Sequence, residues 1–241
     1  MNTWNFNELK DLCRRKGISD DLIFRISEYA NSLNWRYHRA KFHAEKSRAI
    51  LKRLFAKSFT FGDQRYKRAA FSYEAHVEAC ILSLHAMADI LSQIINIVLL
   101  QNRFHEHTVY LKKIKSNMEK NRITPEIVVK LKELVNCNEF RYIESFSNTI
   151  KHRRLIKTHF RAEFGGNSRN EEGLVFREFS YKDVSYPETW GSDIIDKYLK
   201  KIFELVNDAG LEINDFLAMQ GASYAPIQFY FRPWPGATRK L

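Results

Sequence analysis

Glycine and proline are scarce in this chain, at 9 and 5 of 241 residues. A turn-rich all-β fold needs more of both, so that class is excluded. Cysteine is scarcer still. Cys13, Cys80 and Cys137 are odd in number and share no paired spacing, which argues against a disulfide framework or a zinc site and fits a reducing compartment. Cys80 reads as a small buried hydrophobe. No glycine-rich turn follows a strand pattern, so neither a P-loop nor a dinucleotide fingerprint is present. Glu74-Ala-His76 and His76-Val-Glu78 lack the Glu-x-x-His spacing of a carboxylate-bridged metal bundle. His105-x-His107 has no acidic or cysteine cluster beside it, and no metal or cofactor is assigned. The opening MNTWNFNELKDLCRR lacks the basic-then-apolar order of a signal peptide. The most apolar window, Val77 to Leu100, contains Glu78, His85 and Asp89, which argues against a membrane span. The expectation is a soluble, cytoplasmic protein with no membrane partner.

What is present is organised around Ala69–Asn102, 34 residues without one Lys, Arg, Gly or Pro. With no breaker inside it, the stretch predicts a single long helix. Advancing about 100° per residue places Glu78, His85, Asp89, Ser92, Gln93 and Asn96 in one narrow polar sector. Nearly all the rest of the wheel is apolar, including Ile81, Leu84, Met87, Leu91, Ile94 and Ile95. A helix apolar over most of its circumference packs on several sides. Its polar stripe then either reaches the surface or lines an interior site.

The chain carries a net charge of +11, unevenly spread. Between Arg36 and Arg68 stand Arg36, Arg39, Lys41, Lys46, Arg48, Lys52, Arg53, Lys57, Arg65, Lys67 and Arg68, opposed only by Glu45 and Asp63. Such a block is the electrostatic footprint of phosphate contact; it is equally the pattern of a solvated basic helix.

In chain order, Asn7–Gly17 reads as a short helix closed by glycine. Ser19-Asp20-Asp21 supplies a cap and an acidic first turn for the next. That helix keeps its rhythm from Leu22 toward Lys57, with a break expected near Asn31–Asn34 and a link over Ser58–Asp63. After a polar loop at Gln101–His107, a helix opens at Thr108. Thr124-Pro125-Glu126 caps the following one, which reaches Cys137, and Asn138 begins another. Alternation in KTHFRAEF and GLVFREFSY predicts a β-hairpin or a short two-to-three-stranded sheet around a mobile loop at Gly165–Gly173. Ser192-Asp193 caps a final helix that Gly210 ends, with Ile213–Met219 adding another turn or two, and the tail PIQFYFRPWPGATRKL holds a short apolar run stopped by proline. The expected fold is mainly α: one helical-bundle domain over 1–241. It comprises basic helices at 1–68, core helices at 69–156, a small hairpin insertion at 157–190 and a C-terminal helix and tail at 191–241.

A second polar stripe lies on the helix from Asn138, where Arg141, Ser145, Asn148 and His152 fall within about 60°. The steps Arg141–Asn148–His152 match those of Glu78–His85–Asp89. Two such stripes can satisfy one another, with Glu78 and Asp89 meeting Lys151, His152 and Arg153. Each is also what the wet side of an amphipathic helix looks like.

The segment SFSNTIKHRRLI, preceded by a long helix with Glu-x6-His-x3-Asp and followed by a hairpin, resembles the HEPN superfamily. Those proteins are all-α bundles, many of them metal-independent ribonucleases or nucleotide-binding partners in bacterial toxin and phage-defence systems. Their signature is Arg, a polar residue, three to four further residues, then His. Here Asn148 takes the polar position and His152 the histidine, in an Asn-x-x-Lys-His form, and the arginine position falls on Ser147. Arg141, Lys151 or Arg153 are the available substitutes; Arg154-Leu-Ile-Lys-Thr-His159 matches the spacing with Leu155 at the polar position.

The resemblance implies that His152 moves protons, Lys151 or Arg153 clamps the phosphate and Asn148 orients it. His85 and Asp89 form a supporting or second proton-transfer pair, with Glu78, Arg141 and Asn96 behind them. Arg36, Arg39, Lys41, Lys46, Arg48, Lys52 and Arg53 would track the RNA backbone. Implied partners are RNA, an antitoxin or other protein, and a second copy of the chain. The competing expectation is a non-catalytic module that binds nucleic acid or protein, with Asn148, Lys151 and His152 in a buried polar network.

Overall fold

A computed structural model describes residues 3–56, 63–163 and 171–220. Helix α1 (Phe6–Arg15) opens on Asn5, whose side chain accepts from the Asn7 and Glu8 amides at 3.1 and 3.2 Å. Gly17, with φ 71°, closes it. The Gly17 amide donates to Arg14 and the Ile18 amide to Cys13, the pairing of a left-handed glycine stop.

Helix α2 (Asp20–Ala56) runs 37 residues without interruption, so the expected break at Asn31–Asn34 does not occur. Asn31, Ser32 and Asn34 are exposed while Ala30 and Leu33 are buried. Polar side chains on the outer face leave the helical hydrogen bonds intact, and the apolar seam beneath them is continuous. That seam lies along α3 (Gln64–Val98) in the most extensive helix pair of the molecule.

Helix α3 starts earlier than Ala69 because Asp63 caps it, accepting from the Arg65 amide at 2.8 Å. It ends before Asn102, since Gln101 and Asn102 take left-handed φ of 55° and 54°. The α3 side chains Val77, Ile81, Leu84, Met87, Leu91, Ile94 and Ile95 are wholly buried. Each such burial is worth about 1.5–3 kcal/mol, which makes α3 the axis of the core. It is long and apolar enough to cross a membrane, but 67% of its apolar window is buried within the bundle.

Thr108 does not open a helix. It belongs to a single tight turn, Glu106–Thr108, and α4 begins later, at Leu111, running to Lys120. Helix α5 (Pro125–Asn136) has Pro125 and Glu126 in its first turn as the sequence predicts. Thr124 does not cap it: its backbone is left-handed at φ 42° and its buried hydroxyl has no partner. Helix α6 (Asn138–His152) is capped instead by the Cys137 sulfur, which accepts from the Phe140 amide.

Strands β1 (Thr158–Glu163) and β2 (Glu171–Phe176) pair antiparallel with Thr158 opposite Phe176 and Arg161 opposite Gly173. Residues Glu171 to Gly173 are therefore strand, and the rest of the expected loop, 164–170, lies outside the described residues. A second hairpin, β3 (Phe179–Tyr181) with β4 (Val184–Tyr186), turns on Lys182 and Asp183, both at positive φ. Strand β5 (Thr189–Trp190) adds to β2. The fold is thus mainly α with a small β insertion.

The chain re-enters helix at α7 (Gly191–Asp193), passes through a π turn at Ile194–Tyr198 and continues as α8 (Leu199–Met219). Gly210 does not end this helix. A Cβ there would stand 2.0 Å from the Trp4 ring, so the glycine makes room for an indole. Trp4 is fixed by its amide to Asn207 at 2.8 Å and its indole N–H to Asn214 at 3.0 Å. The C-terminal tail from Pro226 and the link from Lys57 to Gly62 lie outside the described residues.

Candidate functional site

The polar stripe of α3 is shared among three tasks. At its C-terminal end, Asn96 is an anchor: its amide nitrogen donates to the Phe104 carbonyl at 2.9 Å and its oxygen accepts the Phe104 N–H at 3.1 Å. Gln93 donates to the Glu106 carbonyl. Both hold the 99–108 loop. At the other end, Glu74 accepts from the amide and hydroxyl of Thr158 and pins β1 to α3. Glu78, one turn on, is half-buried, and burial together with the Glu74 charge raises its carboxyl above the usual range. Only the middle of the stripe, His85 and Asp89, addresses α6.

His85 stacks on Phe140, with ring centroids 6.2 Å apart and planes within 9°. Its Nδ1 is 3.7 Å from Asp89 Oδ2, close enough for attraction and too far for a hydrogen bond. Burial pushes the imidazole below its usual range despite Asp89, and the Lys151 and Lys112 charges push the same way. His85 is therefore neutral at pH 7 and able to accept a proton. Partial burial raises the Asp89 carboxyl against the opposing pull of His85 and Lys151.

The expected meeting of stripes is only partly realised. Lys151 is the α6 cation whose charge reaches His85 and Asp89. His152 is exposed and makes no hydrogen bond or ion pair among the described residues. Arg153 turns to the β insertion, its guanidinium 4.9 Å above the Tyr181 ring. A buried network of Asn148, Lys151 and His152 is absent: Lys151 and His152 are exposed and the Asn148 amide donates to the Glu144 carbonyl at 2.9 Å.

The second stripe instead floors a cleft of about 410 Å³. Arg141, Glu144 and Asn148 rise from α6, Lys112 stands on α4, and Tyr181 and Lys182 form the opposite wall on the β3–β4 turn. That wall is fixed by the Ser145 hydroxyl, 2.7 Å from the Tyr186 hydroxyl. An aromatic cluster backs it, with Tyr142 and Phe146 packed edge-on against Phe179. Lys112 is neutralised by Glu144. Arg141 and Lys182 are exposed and have no acidic partner among the described residues; Lys182 lies 5.4 Å from the Tyr181 ring centre. Two free cations, an amide and an aromatic face in one polar cleft suit a phosphate-bearing ligand with a planar group.

No protein-family model, curated protein or solved structure matches this chain.

The basic block behaves unevenly. Arg39, Lys41, Lys46, Lys52 and Arg53 are exposed along α2, and Arg36 is half-buried beside them. None has an ion-pair partner among the described residues. Lys41 and Lys46 lie over the Tyr37 and Phe42 rings at 5.6 and 5.3 Å. Arg48 differs. Its Nε donates to Asp196 at 2.8 Å and its Nη2 to the Ile195 carbonyl, so it ties α2 to the π turn instead of facing a ligand. Lys57 lies outside the described residues. Helix α2 packs chiefly on α3, and the cleft is built on α6, α4 and the β3–β4 hairpin. The two basic features are separate surfaces.

Sequence reasoning missed Tyr181, Lys182 and Lys112, the walls of the cleft. It also missed the His43–His76 pair, Nδ1 to Nδ1 at 2.9 Å, which bridges α2 and α3. None of these carries a local signal, because each partner is supplied by a distant segment. Among the described residues no group of three or more His, Cys, Asp and Glu gathers at one point.

Proposed function

We propose that this chain binds RNA in the α6 cleft, with Arg141 and Lys182 on phosphate, Tyr181 against a base and Asn148 selecting orientation. The carrying observation is the convergence of two unpaired cations, an aromatic face and an amide on one wall-and-floor arrangement. The net charge of +11 supports a polyanionic ligand, as does the resemblance of the SFSNTIKHRRLI segment to HEPN proteins. The protein would then act where RNA is, in the cytoplasm. The test is fluorescence anisotropy with a labelled single-stranded RNA. Arg141→Ala with Lys182→Ala should weaken binding at least tenfold and reduce the salt slope by about 1.4, two lost single-strand contacts. Unchanged affinity would remove the cleft from consideration.

One observation favours a second, catalytic reading. Metal-independent RNA cleavage needs a base for the 2′-OH, an acid for the leaving oxygen and a cation for the phosphate. His85 is held neutral next to Asp89 under the influence of Lys151, and His152 is an exposed second imidazole one turn past Asn148. Cleavage in EDTA that is abolished by His152→Ala or His85→Ala, with RNA affinity retained, would establish it. Binding without cleavage in wild type leaves the binding function alone.

A further inference from the structure

The α2–α3 hairpin presents an outer face that the described residues of the bundle leave uncovered. On α2, Phe24, Trp35 and Phe42 are spaced by eleven and seven residues, which returns each to within about 20° of the same line along the helix. They are 65%, 66% and 49% exposed. On α3, Ala75 is exposed and Leu82, Ala86 and Ile90 are half-buried; their spacing keeps them in one sector of about 80°. The two rows share one surface. A groove of about 470 Å³ is lined by Trp35, Arg36 and Arg39 from α2 and by Ile90 from α3. The His43–His76 bond clamps the helices one turn further along. Phe71, 72% exposed, continues the apolar row toward the start of α3.

Around the groove the charges are one-sided: Arg36, Arg39 and Lys46 stand on α2 beside Trp35 and Phe42, whereas Glu28 and Arg68 on the same face lie toward its ends. From Ala69 to Asn102, α3 has no cation at all, and on its far edge stand Glu78 and Asp89. A nucleic-acid strand is a poor match, because its phosphates would cross an aliphatic floor toward two carboxylates. An amphipathic helix fits: its apolar face covers Trp35, Phe42, Leu82 and Ile90, and its acidic edge meets the α2 cations. We propose that this face docks an amphipathic helix of a partner protein whose α2-facing edge is acidic. The proposal is independent of RNA binding in the α6 cleft. Charge asymmetry fixes the occupant's roll about its own axis, and the two large aromatics, near the middle of α2, are its anchor points.

The probe is a fluorescein-labelled helical peptide of about 20 residues, long enough to hold helix, with Leu at i, i+3, i+4 and i+7 and Glu along one flank. A scrambled peptide of the same composition and a single-stranded RNA are measured beside it by anisotropy. The expected result is saturable binding of the patterned peptide only. Trp35→Ala and Phe42→Ala should each weaken it at least tenfold, Arg39→Glu should weaken it with a flattened salt dependence, and Arg141→Ala should leave it unchanged. Circular dichroism of the surface variants should match wild type. Equal binding of the scrambled peptide, or none of either, overturns the proposal. RNA binding lost in Trp35→Ala would assign the face to nucleic acid instead. A dimer of the chain alone that Trp35→Ala dissociates in sedimentation would assign it to a second copy.

Discussion

The α2–α3 hairpin and the α6 cleft solve opposite problems. The hairpin is made of two long neighbouring helices whose contacts are mostly between adjacent segments, bridged by the His43–His76 pair, while Arg48 ties α2 onward to the π turn. Its outer face is largely uncovered among the described residues. The cleft is assembled from a 15-residue helix, one residue of α4, the end of α5 and an eight-residue hairpin about 30 positions downstream. It is held by an aromatic cluster and one hydroxyl pair. Long regular elements supply rigid surface, whereas a concave site with several kinds of side chain needs short elements brought from apart.

The sharpest way to separate the two regions is to empty the aromatic cluster. Phe146 is wholly buried against Phe176, at 5.2 Å, and Phe179. Phe146→Ala should destabilise the protein by about 3–5 kcal/mol, seen as a lower midpoint in urea. RNA affinity should fall with it as the hairpin wall loosens. Binding of the amphipathic peptide should survive at temperatures where the variant is still folded.

A smaller cut removes one hydrogen bond. In Tyr186→Phe, the Ser145 hydroxyl loses its partner at a cost of about 1 kcal/mol. Native-state hydrogen exchange should show faster opening in β3–β4 and no change in α2 or α3. Equal acceleration in both regions would mean that they are one cooperative unit.

The histidine pair makes the hairpin sensitive to acid. Burial, His76 and Arg39 all hold the His43 imidazole below its ordinary value of 6.5. The folded state therefore binds a proton less readily than the unfolded chain. This stability is complete above about pH 6.5 and declines as pH falls through the folded-state value. Urea midpoints compared at neutral and mildly acidic pH should show the drop, and His43→Gln should flatten it. The smallest effect is expected at Trp35→Ala, within about 0.5 kcal/mol of wild type, since the ring contributes surface and little core.

How much of this was legible in the sequence follows the range of each interaction. Ala69–Asn102 declared itself, because absent breakers and a wide apolar arc are local facts. The spacing of His85 and Asp89 put them on one polar stripe for the same reason, whereas which helix the stripe would face is not a local fact. Asn31–Asn34 misled, since asparagine weakens a helix by propensity alone and a long packed seam outweighs that. Gly210 misled more instructively: its glycine answers to Trp4, about 200 residues away. Arg48 looked like its basic neighbours until Asp196 came alongside. The stripe Arg141, Ser145, Asn148 was correctly seen as polar, but its walls come from residues that no spacing rule connects to it.

The seat of Trp4 also has a consequence for how the protein is made. Trp4 is made well before its hydrogen-bond partners, which lie 203 positions later for its amide and 210 for its indole. At bacterial or eukaryotic elongation rates of 5–20 residues per second, that wait is about 10–40 s. Through all of it the nascent chain carries an unsatisfied tryptophan and one uncovered side of α1. Seating of α1 therefore waits on α8: until Asn207 and Asn214 have been made, the first helix has no place to close against.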